Sequence, residues 1–370
     1  MERYFLGSNT KVGFDGFYDV TTEGIGSVYL IKGGAGTGKS SLIKKVLKRG
    51  EDCGLRCESW HCSGDPKSLD GVYIRDLDVA VIDATSPHAV EPKIPKIKDD
   101  IVNLLQYVVK DKLRGYKPVI EKLSNNKKEC YKCGYEHLNI AFCHLSQNIR
   151  SVSSSMNSPL IVAKARGFAG DILADLRCVK NGEMKDLDTV LTLGDDGEKV
   201  CCNRGGRRVA KRFFRAITPD GIVAFDDHLK GRNVWWVKGE TASVDLFLKT
   251  ALNVVLDDLA DDNNLPITIF YNPLDTSLVD GFMVGDVVVA SHLDDVECAM
   301  VYDLRWYEGD FDKYALGRGK VKMKEEIDIA VDHFAKARNL HLGIEKYYIS
   351  AMDFDGIDCL AEKLLDSIFN

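Results

Sequence analysis

The hydrophobic pattern of the chain alternates between short apolar runs and amphipathic stretches, which predicts an α/β fold. The runs Val28–Ile31, Val79–Ile82 and Val287–Ala290 have the length and the β-branched content of buried strands. After the first of them, Ser40–Gly50 has apolar residues at helical spacing and ends at a glycine, as an amphipathic helix does. A strand, a helix and another strand in succession indicate a mostly parallel sheet with flanking helices.

Longer amphipathic stretches predict helical arms outside the sheets. Residues 97–150 have helical periodicity with a polar break at Ser124–Asn126, which predicts an α-hairpin with its turn there. Glu325–Ile349 resembles the second helix of that hairpin, and Ile357–Ile368 is expected to pack after it. A further helix is predicted over Leu160–Leu176, within a linker between two halves of the chain.

A glycine-rich loop, Gly33–Ser40, lies between the first predicted strand and its helix. It reads GGAGTGKS and fits G-x-x-x-x-G-K-[ST], the P-loop pattern. Glycines let backbone N–H groups surround phosphates, and the helix N-terminus adds positive potential. Lys39 is expected to reach the β- and γ-phosphates and Ser40 to ligate Mg²⁺. The predicted Mg-ATP site comprises Gly33, Gly34, Ala35, Gly36, Thr37, Gly38, Lys39, Ser40 and Ser41.

An acidic residue ends the next apolar run, as a P-loop site requires. Asp83 follows Val79–Ile82, and in a parallel sheet it would lie beside the loop and hold Mg²⁺ directly or through water. Ala84 stands where many ATPases place a water-orienting Glu. We therefore expect either a base elsewhere or slow hydrolysis.

Polar residues near the same predicted sheet edge are candidates for catalysis. A second strand is predicted over Leu55–Cys62, followed by a polar loop over Asp65–Gly71. Asp65 and Asp70 in that loop are the catalytic candidates beside Lys39, although Asp-Pro and Asp-Gly also build ordinary turns. Weaker candidates at this edge are His61, Thr85 and His88.

The chain contains an internal repeat. A Thr-x-x-Gly-x-x-x-Phe pattern beginning at Thr10 recurs at Thr218, and the spacing from Asp65 to Asp70 recurs from Asp275 to Asp280. We therefore predict duplicated P-loop cores. The first domain covers 1–155 with a helical arm at about 97–150, the linker covers 156–211, and the second domain covers 212–370 with an arm at about 320–370.

The second copy lacks the phosphate-binding residues. Alignment from Gly33 and Gly239 places Val244, Asp245 and Leu246 at the positions of Gly38, Lys39 and Ser40, and Ser291 at the position of Asp83. A carboxylate in place of the lysine would repel phosphate, and the hydroxyl that ligates Mg²⁺ is lost. We expect this half to have a structural or regulatory role.

Charge and composition narrow the classes of partner. The formal net charge of −7 argues against nucleic acid as a partner. No apolar run approaches the ~20 residues needed to span a bilayer, and the first residues lack the apolar region of a signal peptide. The eleven cysteines show no regular spacing, which favours free, reduced thiols and therefore a cytoplasmic protein. We expect no membrane partner.

Two local clusters stand apart from the predicted site. Cys130 and Cys133 lie near His137 and His144, but the matching stretch of the second copy has no cysteine, so we expect helical core rather than zinc. A basic segment precedes the second copy. Three interpretations of this segment are open: a solvated loop, an arginine finger for the first site, or a contact with nucleic acid. Its candidate residues are Arg204, Arg207, Arg208 and Arg212.

These motifs together resemble one family. With the glycine-rich loop, the segments DPKSLDG, IDATSPH, AITPDG and EKYYISAMDF make the chain similar to bacterial tandem P-loop proteins often labelled ATPase or nucleotide kinase. The similarity covers nearly the whole chain in order. It implies two P-loop domains with helical appendages and cytoplasmic ATP binding, and it supplies no substrate. The degraded second loop departs from the expected pattern of two intact loops.

The sequence therefore predicts a P-loop NTPase that binds Mg-ATP in its first half and hydrolyses it slowly or when triggered by a partner. ATP is favoured over GTP because no N-K-x-D motif follows a strand. One alternative is a small-molecule or nucleotide kinase, in which Asp65 or Asp70 accepts the proton of an acceptor hydroxyl. The other is a non-hydrolysing, ATP-gated module whose helical arms bind a protein. The identity of the small-molecule or protein partner is left open.

Overall fold

The computed structural model describes residues 1–181, 209–260, 265–293 and 296–370, and two six-stranded sheets form its framework. The first sheet has the order β1 (Glu2–Phe5), β5 (Cys57–Cys62), β6 (Asp65–Ile74), β7 (Val79–Asp83), β4 (Ser27–Lys32) and β8 (Asp99–Asn103). The second has the order β9 (Val209–Arg212), β13 (Ile267–Tyr271), β14 (Val279–Val284), β15 (Val287–Ala290), β12 (Asn233–Lys238) and β16 (Met300–Asp303). The predicted α/β class is confirmed.

The two sheets share one strand order and one set of strand directions. In each, the third strand of the order, β6 or β14, runs antiparallel to both neighbours, and the other pairings are parallel. The prediction of mostly parallel sheets is therefore confirmed. Parallel pairing of β4 with β7 sets Ile31 opposite Asp83, so the ends of these two strands meet at one edge.

Two β-hairpins and a pair of edge strands join the sheets. The hairpins are β2 (Gly7–Thr10) with β3 (Gly13–Gly16), and β10 (Arg215–Thr218) with β11 (Gly221–Ala224). Phe5, the last residue of β1, and Phe213, the residue directly after β9, exchange two backbone hydrogen bonds of 2.9 Å. The inner faces of the sheets share one buried cluster that includes Leu30, Trp60 and Phe270.

Eight helices are present in the described residues. They are α1 (Tyr18–Glu23), α2 (Lys39–Asp52), α3 (Lys110–Arg114), α4 (Lys117–Ser153), α5 (Ser158–Asn181), α6 (Thr241–Asp258), α7 (Lys313–Ile349) and α8 (Phe354–Phe369). Within that part of the chain, none combines the length and the apolar character needed to cross a membrane.

The two long helices, α4 and α7, pack against each other and carry the chain from one sheet to the other. After α4, helix α5 packs against α6 and the second sheet, where Phe168 lies 5.0 Å from Phe247 between ring centroids. After α7, helix α8 packs on the first sheet, with Ala361 and Leu364 in the cluster of Leu42 on α2. Helix α4 therefore leads from the first sheet to a helix that packs on the second, and α7 leads from the second sheet to a helix that packs on the first.

The predicted α-hairpin over residues 97–150 is wrong. Ser124–Asn126 lies inside the unbroken helix α4, and Asp99–Asn103 is strand β8. Asn125 and Asn126 are exposed, so polar residues are tolerated on the outer face of the helix. The antiparallel partner of α4 is α7, as the contact of Gly134 with Phe334 illustrates.

The predicted polar loop over Asp65–Gly71 is also wrong, because these residues form the first part of β6. Cys62 pairs with Asp65 at the tip of a tight hairpin, and β6 returns antiparallel along β5 with two shifts of register. Asp-Pro and Asp-Gly are common in turns, but here a turn at Ser63–Gly64 is enough to reverse the chain.

Candidate functional site

The glycine-rich loop connects the end of β4 to the first residue of α2. Gly36 and Gly38 adopt φ angles of 67° and 87°, in the left-handed region that glycine tolerates best. At Gly33 an added Cβ would lie 2.5 Å from the Thr37 hydroxyl, which itself donates to the Gly34 carbonyl over 2.9 Å. The shape of the loop therefore depends on its glycines.

Lys39, the first residue of α2, turns its ammonium group back into the loop. Its Nζ donates to the Gly34 carbonyl at 2.7 Å and lies 3.7 Å from the Asp83 carboxylate. The cation is thus held over the mouth of the loop, and a carboxylate of the neighbouring strand faces it. The ammonium group suits a polyvalent anion, and the carboxylate beside it suits a divalent cation bound to that anion.

Ser40 and Asp83 each keep an oxygen available for a metal ion. The Ser40 hydroxyl accepts a hydrogen bond of 2.9 Å from the Leu69 N–H, which leaves one lone pair. Asp83 is 8% exposed, and its Oδ1 accepts from both the backbone N–H and the hydroxyl of Thr85. Its other oxygen faces Lys39. Thr85 therefore orients Asp83.

Asp70 lies beside Asp83 because Gly71 of β6 pairs with Ile82 of β7. Its carboxyl group accepts a hydrogen bond of 2.8 Å from Tyr18 and lies 3.4 Å from Nε2 of His88. Burial raises the pKa of Asp70 above its ordinary value, and the charge of Asp83 raises it further while His88 opposes the shift. The sheet edge thus holds two carboxyl groups in different environments.

Two other predicted candidates, Asp65 and His61, form hydrogen bonds within the β5–β6 hairpin. Asp65 accepts hydrogen bonds from Ser68 and from the Lys67 N–H, and it closes the tip of the β5–β6 hairpin. His61 bonds the Pro66 carbonyl through Nδ1 and packs on Phe225, and burial lowers its pKa.

Ser41 and the four arginines of the basic segment complete the list of predicted site residues. Ser41 is exposed on α2. Arg212 is buried and ion-paired with Glu58 at 2.5 Å on β5, three strands away from β4, so it is not brought to the loop. Arg204, Arg207 and Arg208 lie outside the described residues.

The end of α7 covers the glycine-rich loop. A Cβ added at Gly36 would lie 2.8 Å from the Glu345 carbonyl, and one at Gly34 would lie 3.6 Å from the Tyr348 ring. The pKa of Glu345 is lowered, and its hydrogen bond with His341 is the largest cause. The Gly36 N–H and the charge of Lys39 lower the same pKa further. A carboxylate from the other half thus faces the mouth of the loop.

The matching place on the second sheet has no such loop. Helix α6 begins at Thr241, directly after Gly239 and Glu240, and the Glu308 carboxylate lies at its N-terminus. Glu308 accepts from the Glu240 N–H at 2.5 Å and from the Ser243 hydroxyl at 2.6 Å. An internal carboxylate therefore occupies the position where an anion would bind.

The side-chain contacts of the second half disagree by one position with the predicted alignment of Asp245 with Lys39. Val279 donates its N–H to the Asp245 carboxylate at 2.9 Å, as Leu69 does to Ser40. Asp245 thus matches Ser40 rather than Lys39. The buried Val244 then matches Lys39. The shift arises because residues that form a loop in the first half are wound into the first turn of α6.

Comparison of the chain with family models, with curated proteins and with solved structures returned no match.

Some residues at the site were not anticipated from the sequence. Tyr18 and Cys62 join Asp70 and His88 in one cluster, and Glu345 reaches the loop from the other half. Cys62 carried a usable signal, since it ends a predicted strand at the same sheet edge. Glu345 carried none, because its placement depends on the packing of α4 against α7.

Proposed function

We propose that the protein is a P-loop NTPase that binds one Mg-ATP at the glycine-rich loop. The observation that carries this proposal is the position of Lys39, at the start of a helix and facing Asp83 on the neighbouring parallel strand. Backbone N–H groups of the loop and the N-terminus of α2 would bind the phosphates. Ser40 and Asp83 would hold Mg²⁺, and Thr85 would keep Asp83 in place.

We infer that the two halves are copies of one unit and that the second has lost its nucleotide site. Shared strand order supports this, as do matching contacts. Phe17 donates to the Leu6 carbonyl and Phe225 to the Phe214 carbonyl, each at 2.8 Å. In the second half, Glu308 neutralises the helix N-terminus that would otherwise attract phosphate. One nucleotide per chain is therefore expected.

Hydrolysis by this site is expected to be slow unless a partner assists. Ala84 follows Asp83, and Arg212 is bound to Glu58, so neither a neighbouring glutamate nor this arginine would act on the γ-phosphate. A kinase is the second candidate, because Asp70 is a buried carboxyl group beside Asp83 whose pKa is raised by burial. Such a group is suited to accept a proton from an acceptor hydroxyl.

A phosphate-release assay on the full-length chain separates these reactions. An ATPase releases phosphate from Mg-ATP alone, whereas a kinase consumes ATP faster when a metabolite pool is added without a matching release of phosphate. A binding module raises the melting temperature with Mg-ATP and shows neither reaction. Absence of any nucleotide-dependent change in all three readouts would contradict the proposal.

Glu345→Gln is expected to strengthen Mg-ATP binding. The substitution removes a negative charge from the mouth of the loop while keeping the shape of the side chain. A charge contact at a partly exposed position contributes about 1 kcal/mol or less, so the gain should be at most about fivefold in Kd. Calorimetry measures it. Glu325→Gln, an exposed position on the same helix, is the control and should leave Kd unchanged.

A further inference from the structure

Three side chains with metal-binding atoms converge at the carboxyl edge of the first sheet. Cys62 ends β5, Asp70 lies in β6 and His88 follows β7, and one ligand atom of each lies within 4.8 Å of the other two. From this placement we propose that Cys62, Asp70 and His88 bind a divalent transition-metal cation such as Zn²⁺. The site differs from the predicted Mg²⁺ ligands, Ser40 and Asp83.

The donor set fits Zn²⁺ better than Mg²⁺. A sulfur, an imidazole nitrogen and a carboxylate oxygen are the ligand types that Zn²⁺ accepts, whereas Mg²⁺ takes oxygens. The Cys62 sulfur is positioned by the Gly64 N–H, which donates to it over 3.3 Å. Three protein ligands would leave a fourth position for water or another ligand.

The second sheet has a fixed positive charge at the corresponding place. Asp280, which matches Asp70, forms an ion pair with Arg215 at 2.7 Å and accepts from Asn272 at 3.0 Å. Asn272 matches Cys62 by strand register. Phe270 pairs with Gly281 and Trp60 pairs with Gly71, and Asn272 and Cys62 each lie two residues after the paired aromatic residue. The pKa of Asp280 stays low despite burial because Arg215 faces it.

Among the described residues of the first half, a glycine stands where the second half has Arg215. Gly7 matches Arg215 by its place in the chain. Gly7 follows Leu6, whose carbonyl accepts from the Phe17 N–H, and Arg215 follows Phe214, whose carbonyl accepts from the Phe225 N–H. A Cβ at Gly7 would lie 2.3 Å from the Phe14 ring, so a long side chain has no room there. Asp70 instead faces His88, which is a cation only when it is protonated, and burial of a carboxylate without a cation beside it is costly. A bound metal ion would supply the charge that Arg215 supplies in the second half.

One ring nitrogen of His88 faces Asp70, and the other is left without a partner among the described residues. Its side chain is 9% exposed, and Nε2 lies 3.4 Å from an oxygen of Asp70. Nδ1 is buried and has no hydrogen-bond partner among the described residues. Two lone pairs facing each other repel unless a proton or a cation lies between them. Metal binding would displace the Cys62 thiol proton and any proton on Asp70 into solvent.

Cobalt binding tests the proposal directly. The full-length chain, reduced and freed of metal by chelation, is titrated with Co²⁺ and then with Zn²⁺ while sulfur-to-cobalt charge-transfer absorption is recorded. We expect one saturable site per chain, with the absorption abolished by Zn²⁺. Cys62→Ser should remove the charge-transfer band. His88→Ala and Asp70→Asn should each weaken binding at least about tenfold, since changes one shell farther out already cost about 10–100-fold.

Two controls keep the result specific. The double variant Cys130→Ser/Cys133→Ser should retain the band, which excludes the Cys-x-x-Cys pair on α4 as its source. Lys39→Ala should also retain it, so that failure of nucleotide binding and failure of metal binding are told apart. Far-ultraviolet circular dichroism checks that each variant is folded. A band that is missing from the wild type, or that persists in a folded Cys62→Ser variant, overturns the proposal.

Discussion

Lys39→Ala is expected to weaken Mg-ATP binding about 10- to 100-fold while the chain remains folded. The ammonium group lies at the mouth of the glycine-rich loop, 2.7 Å from the Gly34 carbonyl, and would exchange that contact for phosphate oxygens. Hydrogen bonds to charged groups contribute about 1.5–3 kcal/mol, and each 1.4 kcal/mol is about tenfold in affinity. Isothermal titration calorimetry gives the change in Kd.

Lys48→Ala provides the matched control for this experiment. Lys48 is an exposed lysine two and a half turns farther along the same helix, so it tests for a general effect of charge or helix propensity. Its Kd should equal that of the wild type. Equal affinities of the wild type and a folded Lys39→Ala variant would rule out the glycine-rich loop as the phosphate site.

Arg212→Met is expected to destabilise the protein by about 3 kcal/mol, the lower end of what loss of one partner of a buried ion pair costs. Arg212 is bonded to Glu58 inside the interface of the two sheets. Glu58 keeps Arg75 at 2.7 Å and the Trp60 indole at 2.6 Å, which limits the loss. Denaturant-induced unfolding measures the effect. An arginine finger would instead lower turnover and leave stability unchanged.

The same ion pair gives the stability of the wild type a predictable dependence on pH. Burial alone would raise the pKa of Glu58, but Arg212 and Arg75 lower it below the ordinary 4.5. The stability from this carboxylate is therefore present above pH 4.5 and is lost as the pH falls through the lowered value. Arg212→Met should flatten this acid dependence, whereas Lys211→Met should not. An unchanged acid profile in Arg212→Met would contradict the role given to the pair.

Three strands of the first sheet, β4, β5 and β7, could be predicted from local sequence. The apolar run that ends at Ile31, the glycines after it and the run that ends just before Asp83 predict two strands with a loop after the first, and the structure pairs these strands in parallel. Local patterns suffice there because strand length, glycine conformation and helix start are properties of consecutive residues. The predicted alignment of Gly33 with Gly239 is consistent with the strand register. Leu30 pairs with Ile82 and Trp236 pairs with Ala290, and these partners directly precede the aligned residues Asp83 and Ser291.

The rest of the site depends on packing between distant segments. Glu345 reaches the loop only because α7 crosses to the first sheet, and α5 packs on the second sheet although it follows the first half. A fragment that ends at residue 155 would therefore lack the helices that cover its own loop. The prediction of a loop over Asp65–Gly71 is wrong for another reason, since the two-residue turn before β6 leaves little sequence signal between two strands.

Titration of the intact wild-type chain with ATP, with and without Mg²⁺, tests the central claim most directly. Calorimetry should give one Mg-ATP bound per chain, because Glu308 fills the matching position on the second sheet. Removal of Mg²⁺ with a chelator should weaken binding, since Ser40 and Asp83 would act through the ion. Two nucleotides per chain, or no heat and no rise in melting temperature at millimolar Mg-ATP, would contradict the assignment.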